Sequence, residues 1–250
     1  MSGHSRWSQI KRKKGKTDVQ RGKLFSKILR EVTVAARNGG GDPKVNMRLK
    51  AAMEAAKAAN MPQENLKRAV AKGTGELPGE TYEEITYEGY APGGVALLVQ
   101  VVTDNRNRTA PEIRHLFEKY GGNMGASGSV VWMFERKGVI QVDAERADED
   151  EVLAIALDAG ATDMRRVEKT FEITTAPVGM EAVRGALEGR GVPVLEAAVS
   201  HVPQSTVRVE GKDAQAVLRL VEALEEQEDV QTVHANYDIP DEVIEAISAA

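Results

Sequence analysis

Two properties of the chain change together at Gly73-Thr74-Gly75-Glu76-Leu77-Pro78-Gly79. Before this stretch apolar residues recur at helical spacing; after it they run at strand spacing. The charge changes sign at the same place. Residues 1–75 hold 18 Lys or Arg against 5 Asp or Glu, whereas residues 76–250 hold 15 against 33. Gly and Pro at such a switch are linker composition. A basic helical part is thus joined to an acidic part of mixed strands and helices. At 250 residues there is room for two or three modest domains.

The basic part reads as three helices. Thr17-Asp18-Val19-Gln20 has the form of a capping box. In the helix that follows, Leu24, Phe25, Ile28, Leu29, Val32, Ala35 and Ala36 share one side. Lys23, Lys27, Arg30 and Arg37 fall on the opposite side, with Val34 interrupting the row. Asn38-Gly39-Gly40-Gly41 stops it. Asp42-Pro43 predicts a second helix to about Ala59, with Asp42 as its cap. Met61-Pro62 opens a third that ends at Lys72-Gly73.

Beyond the linker, strands are predicted over Thr81–Tyr87, Gly94–Thr103 and Ser129–Phe134. Thr109-Ala110-Pro111-Glu112 predicts the cap of a helix running to about Tyr120. Between 138 and 200 the order is strand, helix, strand, strand, helix, strand, the split β-α-β arrangement of ferredoxin-like domains. The tail adds a strand (Ser205–Val209), a helix (Asp213–Gln227), a strand (Val230–Ala235) and a last helix, Pro240–Ala249. The fold class expected is α+β: an N-terminal three-helix domain followed by two α+β domains, one ferredoxin-like and inserted in the other. The boundaries expected are 1–78, including a flexible N-terminal tip; 79–136 with 204–250; and 137–203 as the insertion.

Several function classes lose support. With no Cys there is no disulfide, thiolate metal site or cysteine nucleophile. His4, His115, His201 and His234 are scattered without metal-ligand spacing. The glycine clusters Pro92-Gly93-Gly94 and Gly121–Ser129 match neither common nucleotide-binding pattern and read as turns. No catalytic residue, metal or cofactor is expected. No apolar run suits a membrane span, and the N-terminus has no apolar core of the secretory kind. The expected location is therefore the cytoplasm.

The charge pattern points to a polyanion. In the tip, His4, Arg6, Trp7, Lys11, Arg12, Lys13, Lys14 and Lys16 form the leading candidate site. Cations there displace counterions from a phosphate backbone without reading bases, and Trp7 suits either stacking on an unpaired base or folding back onto the bundle as a staple. The tip lacks apolar periodicity, so it is expected to order on binding. Lys23, Lys27 and Arg30 on the first helix, with Arg21 ahead of them, form a second candidate row facing phosphate. Asn105, Arg106, Asn107 and Arg108, between a buried strand and a helix N-terminus, form a third. The same segment also fits a structural turn in which Asp104 pairs with an Arg.

These residues resemble the YebC family. The likeness rests on Gly3-His4-Ser5-Arg6-Trp7, Ile10-Lys11-Arg12-Lys13-Lys14, Arg21-Gly22-Lys23, Gly39-Gly40-Gly41-Asp42-Pro43 and Asn60-Met61-Pro62. Further along it rests on Tyr87–Gly94, Thr103–Thr109 and Met133–Gly138. Arg6 and Arg12 stand where many members have Lys and His. The family includes bacterial proteins labelled probable transcriptional regulators and the mitochondrial translational activator of cytochrome oxidase subunit I.

The resemblance implies three domains and nucleic-acid-dependent control of gene expression. It leaves two partners open. One is DNA, in a transcriptional regulator. The other is ribosomal RNA, in a ribosome-associated factor easing synthesis through proline-rich stretches. A protein-binding scaffold using the acidic body is the alternative of another class. No enzyme activity and no membrane partner are implied, and a monomer is favoured.

Overall fold

The computed structural model describes residues 18–240 and 242–244, with side chains from residue 21 onward. The tip candidates His4 to Lys16, the Thr17 cap and the end of the last predicted helix lie outside the described residues. The elements run α1 (Asp18–Gly39), α2 (Met47–Ala58), α3 (Gln63–Thr74), β1 (Glu83–Ala91), β2 (Val95–Thr103), α4 (Arg106–Lys119) and β3 (Asn123–Met124). They continue β4 (Phe134–Asp143), α5 (Glu149–Asp158), β5 (Ala161–Val167), β6 (Thr170–Thr175), α6 (Met180–Gly189) and β7 (Val194–Pro203). The last are β8 (Val207–Arg208), α7 (Gly211–Glu226), β9 (Val230–Ala235) and β10 (Tyr237–Asp238). This is the expected α+β fold, with a helical N-terminal domain.

By compactness the described residues form two units, 132–205 and the remainder. In 132–205 the sheet order is β5-β6-β4-β7, with every pairing antiparallel. Ile140, Val142, Phe171 and Ile173 of this sheet pack against Val152 and Ala156 of α5 and Val183 and Leu187 of α6. Burying one sheet face under two helices is the ferredoxin-like solution to the alternating pattern.

The other unit holds the three-helix bundle and a four-stranded sheet of order β3-β1-β2-β9. The sheet joins segments far apart in sequence: β2 pairs with β9, Leu97 opposite Ala235. Asn236 seals the end of this pairing, its side-chain oxygen accepting from the Ala96 amide at 2.7 Å. One sheet face buries Tyr87, Leu97 and Val99 against Ile113 and Phe117 of α4 and Leu220 and Leu224 of α7. The bundle core is Ile28, Val32, Leu49, Ala56, Leu66 and small residues between them. Gly73 lets α3 approach α1: a Cβ there would lie 2.4 Å from the Thr33 carbonyl oxygen.

Three local expectations are corrected. Asp42 does not cap α2; it caps a turn, accepting from the Lys44 amide at 2.9 Å. The true cap is Asn46, which accepts from Leu49 N–H at 3.0 Å and donates to the Ala35 and Gly40 carbonyls at 2.7 and 2.8 Å. One buried amide thus ties the end of α1 to the start of α2. Thr109 does not cap α4 either. Asn105 does, accepting from Arg108 N–H at 3.1 Å, so Arg106 and Arg108 belong to the first helical turn rather than to a loop. Finally, 129–133 is a turn and a short 3-10 helix, not a strand.

Candidate nucleic-acid interface

The row on α1 expected to face solvent lies instead on the chain itself. Lys23 donates to the Glu226 carbonyl at 3.3 Å, Lys27 to that of Glu225 and Arg30 to that of Glu228. These carbonyls end α7 and begin the turn after it. A helix leaves its last carbonyls without intrahelical donors and carries partial negative charge there. Three cations spaced along one face of α1 meet that need, and Glu225, Glu226 and Glu228 add acidic side chains to the same end. Val34, which interrupts the row, is 3% exposed, and α1 also lies against β9. A helix buried on two sides needs an apolar residue on each. Arg21 is exposed.

Asp229 stands at the centre of this contact and is 1% exposed. Its Oδ2 accepts from Thr109 at 2.6 Å, Arg108 at 2.9 Å and Thr103 at 3.1 Å. The Arg30 guanidinium lies 3.3 Å from Oδ1, an ion contact without hydrogen-bond geometry. Burial pushes the Asp229 carboxyl up. The Thr109 hydroxyl, the Arg108 hydrogen bond and the charges of Arg30 and Arg108 outweigh it and hold it below its ordinary range.

Arg108 also donates to Asp104 at 2.8 Å. Asp229 and then Asp104 raise its guanidinium above the ordinary arginine value. The internal-pair reading of this segment therefore describes Arg108. Arg106 and Asn107 are exposed.

The second glycine cluster is organised by a residue outside the three candidate sites. Glu88, on β1, is 5% exposed. Its carboxylate accepts from the backbone N–H groups of Gly128 at 2.7 Å, Val130 at 2.7 Å and Val131 at 2.8 Å. Burial raises this carboxyl, but the three amides hold it below its ordinary range. The signal was an acid in a strand otherwise buried around it, followed 40 residues later by a glycine-rich turn needing acceptors.

The bundle nevertheless retains open positive charge. Lys44, Lys67, Arg68 and Lys72 are exposed and make no ion pair among the described residues. Arg68 and Lys72 border a cleft of about 410 Å³ whose walls are α1, α3 and residues 80–82. No helix among the described residues is long and apolar enough to cross a membrane.

Comparison with known proteins covers nearly the whole chain. The profile described as TACO1/YebC protein N-terminal domain matches residues 5–76, and that of the TACO1/YebC second and third domain matches residues 82–237. A probable transcriptional regulatory protein of Pelotomaculum thermopropionicum is 58% identical over 243 residues, 96% of this chain and 100% of the other. One from Syntrophus aciditrophicus is 54% identical over 250 residues, the full length of both. A crystal structure of a conserved hypothetical protein from Aquifex aeolicus aligns with TM-score 0.86 at 53% identity, covering 95% of this chain and 98% of that one.

Proposed function

The chain belongs to the TACO1/YebC family, and from that premise we propose that it is a nucleic-acid-binding regulator of gene expression. The observation that carries this reading is the charge of the N-terminal domain. Residues 1–75 hold an excess of 13 positive charges, and on α3 and the α1–α2 turn those charges are open to solvent. Exposed unpaired cations gather where a polyanion is met, because each phosphate neutralised releases counterions. The relatives' name supports a transcriptional role, and DNA is the partner that name implies.

A second reading, binding of RNA in a translational setting, is favoured by one feature. The cleft beside Arg68 and Lys72 carries an aromatic residue, Tyr82, and aromatic side chains beside cations suit unpaired bases. The test is binding of the full chain to duplex DNA, single-stranded RNA and ribosomal particles, each over a range of salt. On this proposal at least one is bound with a steep salt dependence. Salt-independent or undetectable binding to all three would overturn it.

A further inference from the structure

Two helix faces and a short strap of chain enclose the cleft on the bundle. From α3 come Asn65, Arg68 and Lys72, one face of the helix at positions i, i+3 and i+7. From α1 come Ser26 and Arg30, and from the strap comes Tyr82. Arg30 is engaged behind the cleft by Asp229 and the Glu228 carbonyl. Arg68 and Lys72 have no such engagement among the described residues. The cleft thus has a fixed cation at its back and two open ones along its rim. Its carboxylate, Glu80, accepts from the Tyr82 hydroxyl at 2.8 Å and occupies the strap side. An anion entering is repelled from that side and drawn to α3.

We propose that this cleft seats one unpaired nucleotide of a single nucleic-acid strand. Its phosphate and the next one along the strand lie on Arg68 and Lys72, and its base or sugar lies against the Tyr82 ring. The inference rests on the nucleic-acid reading above and deepens it by naming where and in what form the strand is held. Three features of the residues support it. Two open cations four positions apart on a helix stand side by side, as a phosphate and its neighbour along a strand require. An aromatic ring lies across from them, giving a face that every base can stack on. Asn65 and Ser26, which also line the cleft, supply donors and acceptors able to meet sugar or base edges. A strand is favoured over a free nucleotide because the rim is exposed, and Lys67, about 100° round α3 from Arg68, adds an open cation outside the cleft.

The experiment measures binding of a labelled 12-residue uridine RNA by the full chain, with the same RNA in duplex and free uridine monophosphate as comparison arms. Replacing both rim cations (Arg68→Ala, Lys72→Ala) is expected to shrink the slope of log K against log salt by about 1.4, two contacts at ~0.7 each. Tyr82→Ala is expected to weaken single-strand binding roughly tenfold and duplex binding far less, while Tyr82→Phe keeps the ring and the affinity. Melting curves of each variant separate loss of the site from loss of fold, and the rim variant is the arm that leaves the strap intact. An unchanged salt slope in a chain that binds RNA would overturn the cleft while leaving the nucleic-acid reading in place. Equal loss for single strand and duplex in Tyr82→Ala, or displacement of the RNA by uridine monophosphate, would overturn the single-strand assignment. Failure of the unaltered chain to bind the single-stranded RNA would overturn the cleft, and failure to bind duplex DNA and ribosomal particles as well would overturn both readings.

Discussion

α1 and α3 belong to one small bundle, and each carries a basic face at helical spacing. Their charges are placed differently. On α1, Lys23, Lys27 and Arg30 meet the carbonyl end of α7, and Arg30 reaches the buried carboxylate of Asp229. On α3, Arg68 and Lys72 face an open cleft. The difference lies across the face, not in the helix. A helix C-terminus with unpaired carbonyls is a cation site, and α1 happens to be the helix that passes it. The same distinction sorts the remaining charges. Asp229 and Glu88 are consumed by the chain's own hydroxyl, guanidinium and amide groups. Lys44 and Lys67 are left to solvent.

Variants at four places sharpen this contrast, and the largest effect is expected at Asp229. Asp229→Ala removes the partner of two arginines and two threonines, and loss of one member of a buried charged set costs about 3–5 kcal/mol. Denaturant unfolding should show the drop. The pH dependence follows the same group. The folded carboxyl of Asp229 is depressed below its unfolded value, so its contribution is full above about pH 4 and is lost as pH falls through the folded value. Glu88 and Glu84, the latter held down chiefly by Arg48, act in the same direction. Acid titration of the melting temperature should therefore be steep in the unaltered chain and shallower in Asp229→Asn.

Glu88→Gln comes next. It leaves one oxygen where a carboxylate served three amides, with an expected cost of about 2 kcal/mol. Hydrogen exchange at Gly128, Val130 and Val131 should accelerate, while exchange in α5 and α6 stays as it was. Reversing Lys27 and Arg30 to Glu follows, at about 1–2 kcal/mol, since cations at a helix C-terminus are replaced by repelled acids. Thermal melting checks it. Last is the Arg68→Ala, Lys72→Ala pair, expected to shift stability by less than about 0.5 kcal/mol because both are exposed and unpaired.

The sequence made the backbone pattern far more legible than the cation partners. The β-α-β-β-α-β order of 134–203 was readable because each element is local, with strand and helix periods set by neighbouring residues. The helix starts were less so. Asp42-Pro43 and Thr109-x-x-Glu112 carry sound capping signatures, yet Asp42 closes a turn and the Thr109 hydroxyl is claimed by Asp229. Asn46 and Asn105 cap instead, and Asn46 gains its advantage from carbonyls at the far end of α1. A signature tells which residue is able to cap, and tertiary partners decide which one does. The row on α1 failed to read for the same reason. Its partners lie about two hundred positions downstream, and a basic helical face looks identical whether it will meet phosphate or carbonyl oxygen. Val34 was the visible clue: an apolar residue inside a basic row marks a face that packs.

The most direct measurement sets the two helices against each other in matched charge reversals. Lys23→Glu with Lys27→Glu, which meet the end of α7 but do not line the cleft, and Arg68→Glu with Lys72→Glu, change charge equally within one domain. Each is followed by thermal melting and by the salt dependence of single-stranded RNA binding. The expected outcome is a crossover. The α1 pair lowers the melting temperature and leaves the slope of log K against log salt nearly unchanged, whereas the α3 pair keeps the melting temperature and flattens the slope. The reverse pattern, with α1 controlling the slope and α3 the stability, would contradict the account.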